Sequence, residues 1–249
     1  MLTAERRQAI LDRLGRDGKV VASELVAALG VSEDTVRRDL RELAAHGLVQ
    51  RVHGGALPPA PAAASFSQRL AIAREAKAHL AEAALPLLHG AGVLLLDGGT
   101  TALELARRLP TDRDFTVLNN APPVAAELAA HPRAEVVLIG GRLLKDSLVT
   151  VGSEAVDALR RVRADVCVLG ICSLHPELGV TAIDHDEAHV KRAMVAASAD
   201  VLALATADKL RTASPWVVAP LADVTHLVTD ADEELTADYT EAGVRVVRA

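Results

Sequence analysis

Five residues in the middle of the chain have the clearest capacity for binding chemistry. They directly follow the apolar run Val93–Leu96 and are Asp97, Gly98, Gly99, Thr100 and Thr101. Glycines let the backbone approach a ligand closely, while free N–H groups at a helix start and nearby hydroxyl groups are donors suited to an anion. A phosphate is the simplest such anion. The Asp97 carboxylate would then accept hydrogen bonds from sugar hydroxyls or position the loop.

Loops of the same kind follow other strand-like runs. They contain Asn119 with Asn120, the segment 140–142, and Asp208 with Lys209. Ligands of open α/β sheets collect outside the carboxyl ends of the strands, so several such loops predict one binding crevice. Lys209 is well placed there to supply a positive charge to a phosphate. A lone Gly-Gly pair is also typical of an ordinary strand-to-helix turn.

A second group of candidate residues lies on a short helix near the N-terminus. Ser32 is placed to cap this helix, and Val36, Leu40 and Leu43 have the spacing of a buried face. The remaining positions expose Thr35, Arg37, Arg38 and Arg41. Guanidinium groups pair with guanine edges and with phosphates, so this face predicts contacts to DNA, and we expect Ser32 and Thr35 to anchor phosphates. An isolated basic pair would more often be a solvated helix face.

The elements around that helix favour the DNA-binding interpretation. The preceding helical pattern ends at Gly30, and two helices joined by a four-residue turn form a helix-turn-helix. After Gly47, residues 48–55 alternate like a strand and end in a glycine turn, which predicts a β-hairpin wing. In that wing, we expect Arg51, His53 and Gly54 to lie along the DNA backbone or minor groove.

The segment Asp184–His189 is a candidate metal site, because His185 and His189 lie one helical turn apart. Acidic residues at a helix start and the basic pair at 191–192 compensate the helix macrodipole without any metal. The sequence is therefore interpreted as having no metal site, no cofactor and no catalytic residues.

The order of elements predicts two domains. The stretch 56–64 lacks periodicity and contains three prolines, which is typical of a linker, and a long Ala-rich helix is expected from about Ser67 to Leu88. Strand-like runs then alternate with helices, which predicts a mostly parallel α/β sheet. These runs are 93–96, 116–118, 136–139, 166–169, 201–205, 227–229 and 244–247. We expect a DNA-binding domain at 1–57, a linker and connecting-helix start at 58–75, and an α/β domain at 76–249.

Composition and charge agree with this division. Residues 1–55 carry nine Lys or Arg against eight Asp or Glu, net +1, whereas the rest carries 18 against 25, net −7. The net negative charge therefore lies in the C-terminal domain. No apolar run approaches the roughly 20 residues of a membrane span, and a signal peptide is not expected, so the protein is predicted to be cytoplasmic. Cys167 and Cys172 are expected to be buried, reduced thiols.

Two separated segments resemble the signature of one regulator family. Val31–Leu40, followed by Arg51–Ala56, is similar to the DeoR-family pattern, and the resemblance continues through Phe66, Arg69 and Lys77. It implies a winged helix-turn-helix followed by a sugar-phosphate sensor domain that resembles ribose-5-phosphate isomerase-like folds. It also implies effector contacts from the strand-end loops. The effector-binding candidates are Asp97, Gly98, Gly99, Thr100, Thr101, Asn119, Asn120, Gly152, Asp208 and Lys209.

The combined hypothesis is a repressor of a carbohydrate-metabolism operon that a phosphorylated sugar releases from double-stranded operator DNA. A single winged helix binds weakly, so a homo-oligomer, dimer or tetramer, is expected, with no membrane partner. The alternative is a sugar-phosphate isomerase or deaminase-like enzyme with an accessory DNA-binding domain. An activator or dual regulator also stays open, because the direction of control depends on where the operator lies.

Overall fold

The first part of the chain contains three helices around a small core. A computed structural model describes residues 2–61 and 65–249, and its first helices are α1 (Thr3–Asp17), α2 (Ala22–Leu29) and α3 (Glu33–Ala45). Gly30 ends α2 in the left-handed conformation, and the Ser32 hydroxyl accepts from the Thr35 N–H at the start of α3. The predicted helix-turn-helix is therefore present.

A three-stranded antiparallel sheet completes this N-terminal unit. It consists of β1 (Val20–Val21), β2 (Gln50–Val52) and β3 (Gly55–Leu57), in the order β1-β3-β2. Gly54, with φ of 79°, lies in the turn between β2 and β3. The predicted wing is present, and it includes Ala56 and Leu57, so the strand continues two residues into the stretch interpreted as linker.

The connector to the second domain differs from the predicted long helix. It contains two helices, α4 (Phe66–Ala71) and α5 (Arg74–Ala84), followed by a 3-10 helix at Leu85–Leu88. The prediction of one helix was wrong because the chain breaks at Ala73, whose φ is +48°, and the Lys77 ammonium binds carbonyls at the end of α4. Residues 62–64 of the predicted linker lie outside the described residues.

Seven strands form one sheet in the second domain, in the order β15-β14-β12-β9-β4-β5-β6, and every neighbouring pair is parallel. They are β4 (Val93–Leu96), β5 (Phe115–Asn119), β6 (Ala134–Leu138), β9 (Ala164–Gly170), β12 (Ser198–Leu204), β14 (His226–Thr229) and β15 (Arg245–Arg248). All seven strands predicted from the sequence are in this sheet. The α/β class is confirmed.

Two smaller antiparallel structures lie beside the parallel sheet. One pairs β7 (Arg142–Leu144) with β8 (Val149–Val151), and the other has the order β10-β11-β13. The latter strands are β10 (Ser173–His175), β11 (Gly179–Ala182) and β13 (Trp216–Ala219). These strands were not predicted, because they lie outside the regular alternation of strands and helices that identified the parallel sheet.

The helices of the second domain fill the connections between strands. They are α6 (Thr100–Ala106), α7 (Pro122–Leu128), α8 (Ser153–Leu159), α9 (His185–Ala196) and α10 (Glu233–Glu241). The two domains have separate hydrophobic cores. Because all seven strands are parallel, the turns after β4, β9 and β12 meet at one edge of the sheet. In the parts of the chain that the structure describes, no helix is long and apolar enough to cross a bilayer.

Candidate functional site

A cavity of about 360 Å³ lies at the carboxyl edge of the parallel sheet. The turns after β4, β9 and β12 line it together with α4, α9 and the β7–β8 hairpin. The chain contains five lysines against 22 arginines, and four of the five lysines line this cavity: Lys77, Lys145, Lys191 and Lys209. Lysine is thus concentrated at one place in the molecule.

The turn after β4 provides a bare backbone surface on one side of the cavity. A Cβ at Gly98 would lie 2.1 Å from the Val149 side chain, so only glycine fits between β4 and the hairpin. Gly99 has φ of +120°, and a Cβ there would meet no atom within 4 Å, so its surface is open. Thr100 and Thr101 follow in the cavity lining. The predicted binding turn is therefore accessible to a ligand.

Three cations gather at one end of the cavity: Arg69 from α4, Lys77 from α5 and Lys209 after β12. Within residues 2–61 and 65–249, none of the three forms an ion pair with a carboxylate. The Lys77 Nζ donates to the carbonyls of Arg69 and Ile72 at 2.6 and 2.5 Å. The buried Arg69 Nε has no partner in the same described ranges. This cluster can accept an anion.

Burial and neighbouring positive charges lower the pKa values of Lys77 and Lys209. Burial, together with the charges of Lys209 and Arg69, lowers the pKa of Lys77 to about 8. Burial is also the main reason that the pKa of Lys209 is lowered, although the nearby Asp208 acts in the opposite direction. An anion bound between them would stabilise both charged forms.

A buried ion-pair network lies beneath another part of the cavity lining. Lys191, on α9, binds the Asp97 carboxylate and donates to the Gly170 carbonyl at 2.9 Å. Its Nζ also lies 3.3 Å from a Glu187 oxygen. Burial opposes the charged form of Lys191, but Asp97 and Glu187 outweigh burial and raise its pKa. Asp97 and Gly170 end β4 and β9, so this network joins two strand ends.

The structure brings six of the ten effector candidates to the cavity lining and leaves four outside it. Those at the lining are Gly98, Gly99, Thr100, Thr101, Asp208 and Lys209. Asp97 binds Lys191 beneath the lining, which favours its loop-positioning role. Asn119 donates to the Leu96 carbonyl and Asn120 to the Thr150 carbonyl, so both hold neighbouring strands together. Gly152 precedes α8 away from the lining.

Several cavity residues were not singled out as contacts from the sequence: Arg69, Lys77, Cys172, Asp184, Glu187 and Lys191. Arg69 and Lys77 lie in the connector, where an Ala-rich helical pattern with scattered charges is typical of a solvated surface. The scarcity of lysine in an arginine-rich chain is a signal that could have found Lys77 and Lys191, but not Arg69. Cys167 is fully buried, as expected, whereas Cys172 is partly exposed.

The predicted DNA-contacting residues lie on the exposed side of α3. Arg38 and Arg41 are exposed, and Arg37 pairs with Glu33 at 2.7 Å one turn earlier. The hydroxyls of Ser32 and Thr35 lie 2.9 Å apart at the start of the helix. On the wing, Arg51 and His53 are exposed on either side of Val52, and Gly54 completes the turn. Arg37, Arg38 and Arg41 on α3 and Arg51, His53 and Gly54 in the wing are therefore all exposed.

Asp39 anchors the buried side of α3 and was missed as a structural residue. Its carboxylate accepts from Arg6 Nε at 2.5 Å and from Arg7 Nε at 3.1 Å, both on α1, and the side chain is almost fully buried. Burial would raise the pKa of Asp39, but the two arginines prevail and lower it. This Asp39–arginine contact fixes the angle between α1 and α3.

The His185–His189 pair does not extend to a metal centre in the described parts of the chain. The two Nε2 atoms lie 3.2 Å apart, and the Trp216 ring packs against His185. No group of three His, Cys, Asp or Glu residues suited to a metal occurs among residues 2–61 and 65–249.

Comparison with family models places both halves of the chain in one family. Residues 6–60 match the DeoR-like helix-turn-helix domain, and residues 72–231 match the DeoR C-terminal sensor domain. The second match alone covers more than half of the chain.

Individual proteins resemble the chain over nearly its full length. It is 36% identical to the HTH-type transcriptional regulator GlpR of Haloferax volcanii, over 99% of this chain and 98% of that protein. It is 30% identical to the glycerol-3-phosphate regulon repressor of Haemophilus influenzae, over 94% of this chain and 92% of that protein. Ribose 5-phosphate isomerase A of Methanocaldococcus jannaschii overlaps 55% of this chain and 54% of its own, at 14% identity and a TM-score of 0.39. The last likeness is too weak to carry a functional argument.

Proposed function

The chain belongs to the DeoR family of transcriptional regulators, and we propose that it represses a carbohydrate-metabolism operon until a phosphorylated sugar fills its cavity. The family acts on transcription, so the alternative of an isomerase or deaminase-like enzyme is not favoured. A relative named for the glycerol-3-phosphate regulon supports a phosphorylated metabolite as the signal.

The observation that carries the effector proposal is the cation cluster of Arg69, Lys77 and Lys209. Three like charges at one end of a cavity repel one another and lose hydration, and a dianionic phosphate would relieve both penalties. Carboxylates of the lining at Asp184 and Glu187 would accept hydrogen bonds from sugar hydroxyls, and so would Asp208, which lies beside the cation cluster. A ligand that carries both a phosphate and hydroxyl groups fits this lining.

The DNA-binding half of the proposal rests on α3 and the wing. Arg38 and Arg41 are free to contact base edges or phosphates, whereas Ser32 and Thr35 suit phosphate contacts. The N-terminal domain carries a net charge of only about +1, so affinity at cellular salt would require two or more copies on repeated half-sites. We therefore propose a homo-oligomer on operator DNA.

The connector offers a route from the cavity to the DNA-binding domain. Pro61, Arg69 and Ile72 belong to the connector and also line the cavity. On its other side, the Ala60 N–H donates to the Ala213 carbonyl, and the Ala213 N–H donates to the Pro58 carbonyl, each at 3.3 Å. Ala213 lies four residues after Lys209. A ligand that binds Arg69 and Lys209 would therefore contact the connector directly through Arg69 and indirectly through the segment from Lys209 to Ala213. A shift of the connector would change the spacing of the winged helices.

A thermal-shift screen of the full chain against triose, pentose and hexose phosphates tests the effector proposal. A true effector should raise the Tm by mass action. The Lys209→Ala variant should bind that compound at least about tenfold more weakly, because a hydrogen bond to a charged group contributes about 1.5–3 kcal/mol. Lys19→Ala is the matched control, since Lys19 is the one lysine of the sequence outside the cavity lining.

Two results would contradict the proposal. The first is wild-type affinity of the Lys209→Ala variant for the effector, which would show that the phosphate does not bind beside Lys209. The second is consumption of the sugar phosphate during incubation, which would favour the enzyme instead.

A further inference from the structure

Glu187 presents a carboxylate to the cavity from the first turn of α9. The Asp184 carboxylate caps this turn by accepting from the Glu187 N–H at 2.9 Å. The Glu187 side chain is mostly buried, at 14% exposure, yet it belongs to the cavity lining. Its Oε1 faces Lys191, and its second oxygen has no hydrogen-bond partner in the described parts of the chain. This oxygen is available to a ligand donor.

Lys191 lies beside Glu187 and is itself held by buried contacts. Its Nζ donates to the Asp97 carboxylate and to the Gly170 carbonyl, and it forms an ion pair with a Glu187 oxygen at 3.3 Å. The side chain is only 4% exposed, so water does not compete for it. Asp97, also held by the Gly170 N–H at 2.9 Å, is fixed in turn by two strand ends. The position of Glu187 is therefore set by buried contacts before any ligand arrives.

We infer that Glu187 determines effector specificity by accepting a hydrogen bond from a hydroxyl or amine of the ligand and by repelling compounds that carry a second anionic group beside it. The inference rests on the proposed function, because it assumes that the cation cluster holds the phosphate. Lys191 and Asp97 are positioning residues, since they act through Glu187 and the strand ends.

The charge of the Glu187 carboxylate gives this selection its physical basis. A ligand carboxylate brought beside this prepositioned carboxylate loses hydration and gains repulsion, which weakens binding. A hydroxyl in the same position instead makes a hydrogen bond to a charged acceptor, which is stronger than one to a neutral group. The carbon skeleton of the ligand can stay the same in both cases.

Two matched ligand pairs isolate this effect. Glycerol 3-phosphate and 3-phosphoglycerate share an open-chain skeleton, as do glucitol 6-phosphate and 6-phosphogluconate, and each second member has a carboxylate in place of a terminal CH2OH group. Calorimetric titration of the full wild-type chain should show at least about tenfold tighter binding of the neutral-ended member in the better-binding pair. Inorganic phosphate reports the anion end alone, and glucosamine 6-phosphate distinguishes an amine donor from a hydroxyl donor.

The Glu187→Gln variant should reduce the ratio of the two affinities within that pair at least about fivefold. Its affinity for inorganic phosphate should stay at the wild-type value or increase slightly. The Glu154→Gln variant is the matched control, because Glu154 lies in the first turn of α8, outside the cavity lining. The Lys191→Met variant should lose the same discrimination, because it removes the contact that positions Glu187, whereas Lys191→Arg should retain part of it. Circular dichroism checks that each variant is folded.

The results separate the two proposals. Unchanged discrimination in Glu187→Gln, with phosphorylated compounds still bound, would overturn the role of Glu187 and leave the proposed function intact. Absence of binding by every phosphorylated compound to the wild-type chain would overturn both. An equal loss of inorganic phosphate affinity in Glu187→Gln would also overturn the inference, because it would indicate general damage to the cavity.

Discussion

At the scale of single residues, the cavity shows how burial changes the chemistry of a lysine. Lys77 and Lys191 are both almost fully buried, but only Lys191 has carboxylate partners. The pKa of Lys191 is therefore raised, whereas that of Lys77 falls to about 8. Lys191 is a structural cation that the protein's own carboxylates neutralise. Lys77 has no carboxylate partner in the described residues and can pair with a bound anion.

The low pKa of Lys77 predicts how effector affinity depends on pH. A phosphate binds the protonated lysine, so affinity should decrease as the pH rises through about 8. It should also decrease below about pH 6, where a phosphate monoester loses its second charge. Calorimetric titrations from acidic to alkaline pH should show this maximum. In Lys77→Met, the alkaline decrease should be shallower, with Lys209 accounting for what remains; an affinity that stays constant above neutral pH would contradict the assignment.

At the scale of elements, α3 has two sides with different tasks. Its exposed side carries the arginines that we propose for DNA contacts, and its buried side carries Val36, Leu40 and Leu43 together with Asp39. The Asp39–arginine contact with α1 spans more than 30 residues of sequence. The orientation of the recognition helix thus depends on a polar contact as well as on apolar packing.

Replacing Asp39 by Asn should destabilise the N-terminal domain. The amide keeps the shape but not the charge, leaving two arginine side chains without their anion, which costs on the order of 2 kcal/mol. Chemical denaturation of the full chain, followed by circular dichroism, measures the free energy of unfolding. Asp34→Asn is the matched control, because Asp34 is exposed on the same helix; an equal effect in both variants would argue against the Asp39–arginine contact.

The same contact has a pH signature. Because the pKa of Asp39 is lowered on folding, its stabilisation is fully present above the unfolded value near pH 4 and is lost as the pH falls below it. The destabilisation by Asp39→Asn should therefore disappear in acid.

At the scale of the whole molecule, the proposed coupling must be reciprocal. If the effector weakens operator binding by some factor, operator DNA must weaken effector binding by the same factor, typically about 5- to 150-fold. The test uses an operator duplex selected by the protein from a random-sequence pool. Effector affinity is measured with and without saturating duplex, and operator affinity with and without effector.

The Arg38→Ala variant separates the two sites in that experiment. It should weaken operator binding and leave effector affinity without DNA unchanged, because Arg38 lies far along the chain from every cavity residue. Arg163→Ala, an exposed arginine of the second domain, is the control. Unequal coupling factors would contradict a simple two-state equilibrium, and unchanged operator binding in Arg38→Ala would contradict the assignment of the recognition helix.

The sequence by itself determined the family, the helix-turn-helix and the strands of the parallel sheet. Ser32 as a cap, Gly30 as a helix end and all seven strands of the sheet follow from patterns within about ten residues, where backbone preferences and apolar periodicity act directly. The turn Gly98–Thr101 was found for the same reason. Tertiary structure decided which polar residues meet: Asn119 and Asn120 hold strands together instead of lining the cavity, and Asp97 is engaged by Lys191, 94 residues away. Arg69, Lys77 and Glu187 come to the cavity only because parallel strand ends and the connector converge in space, and no pattern along the chain specifies that convergence.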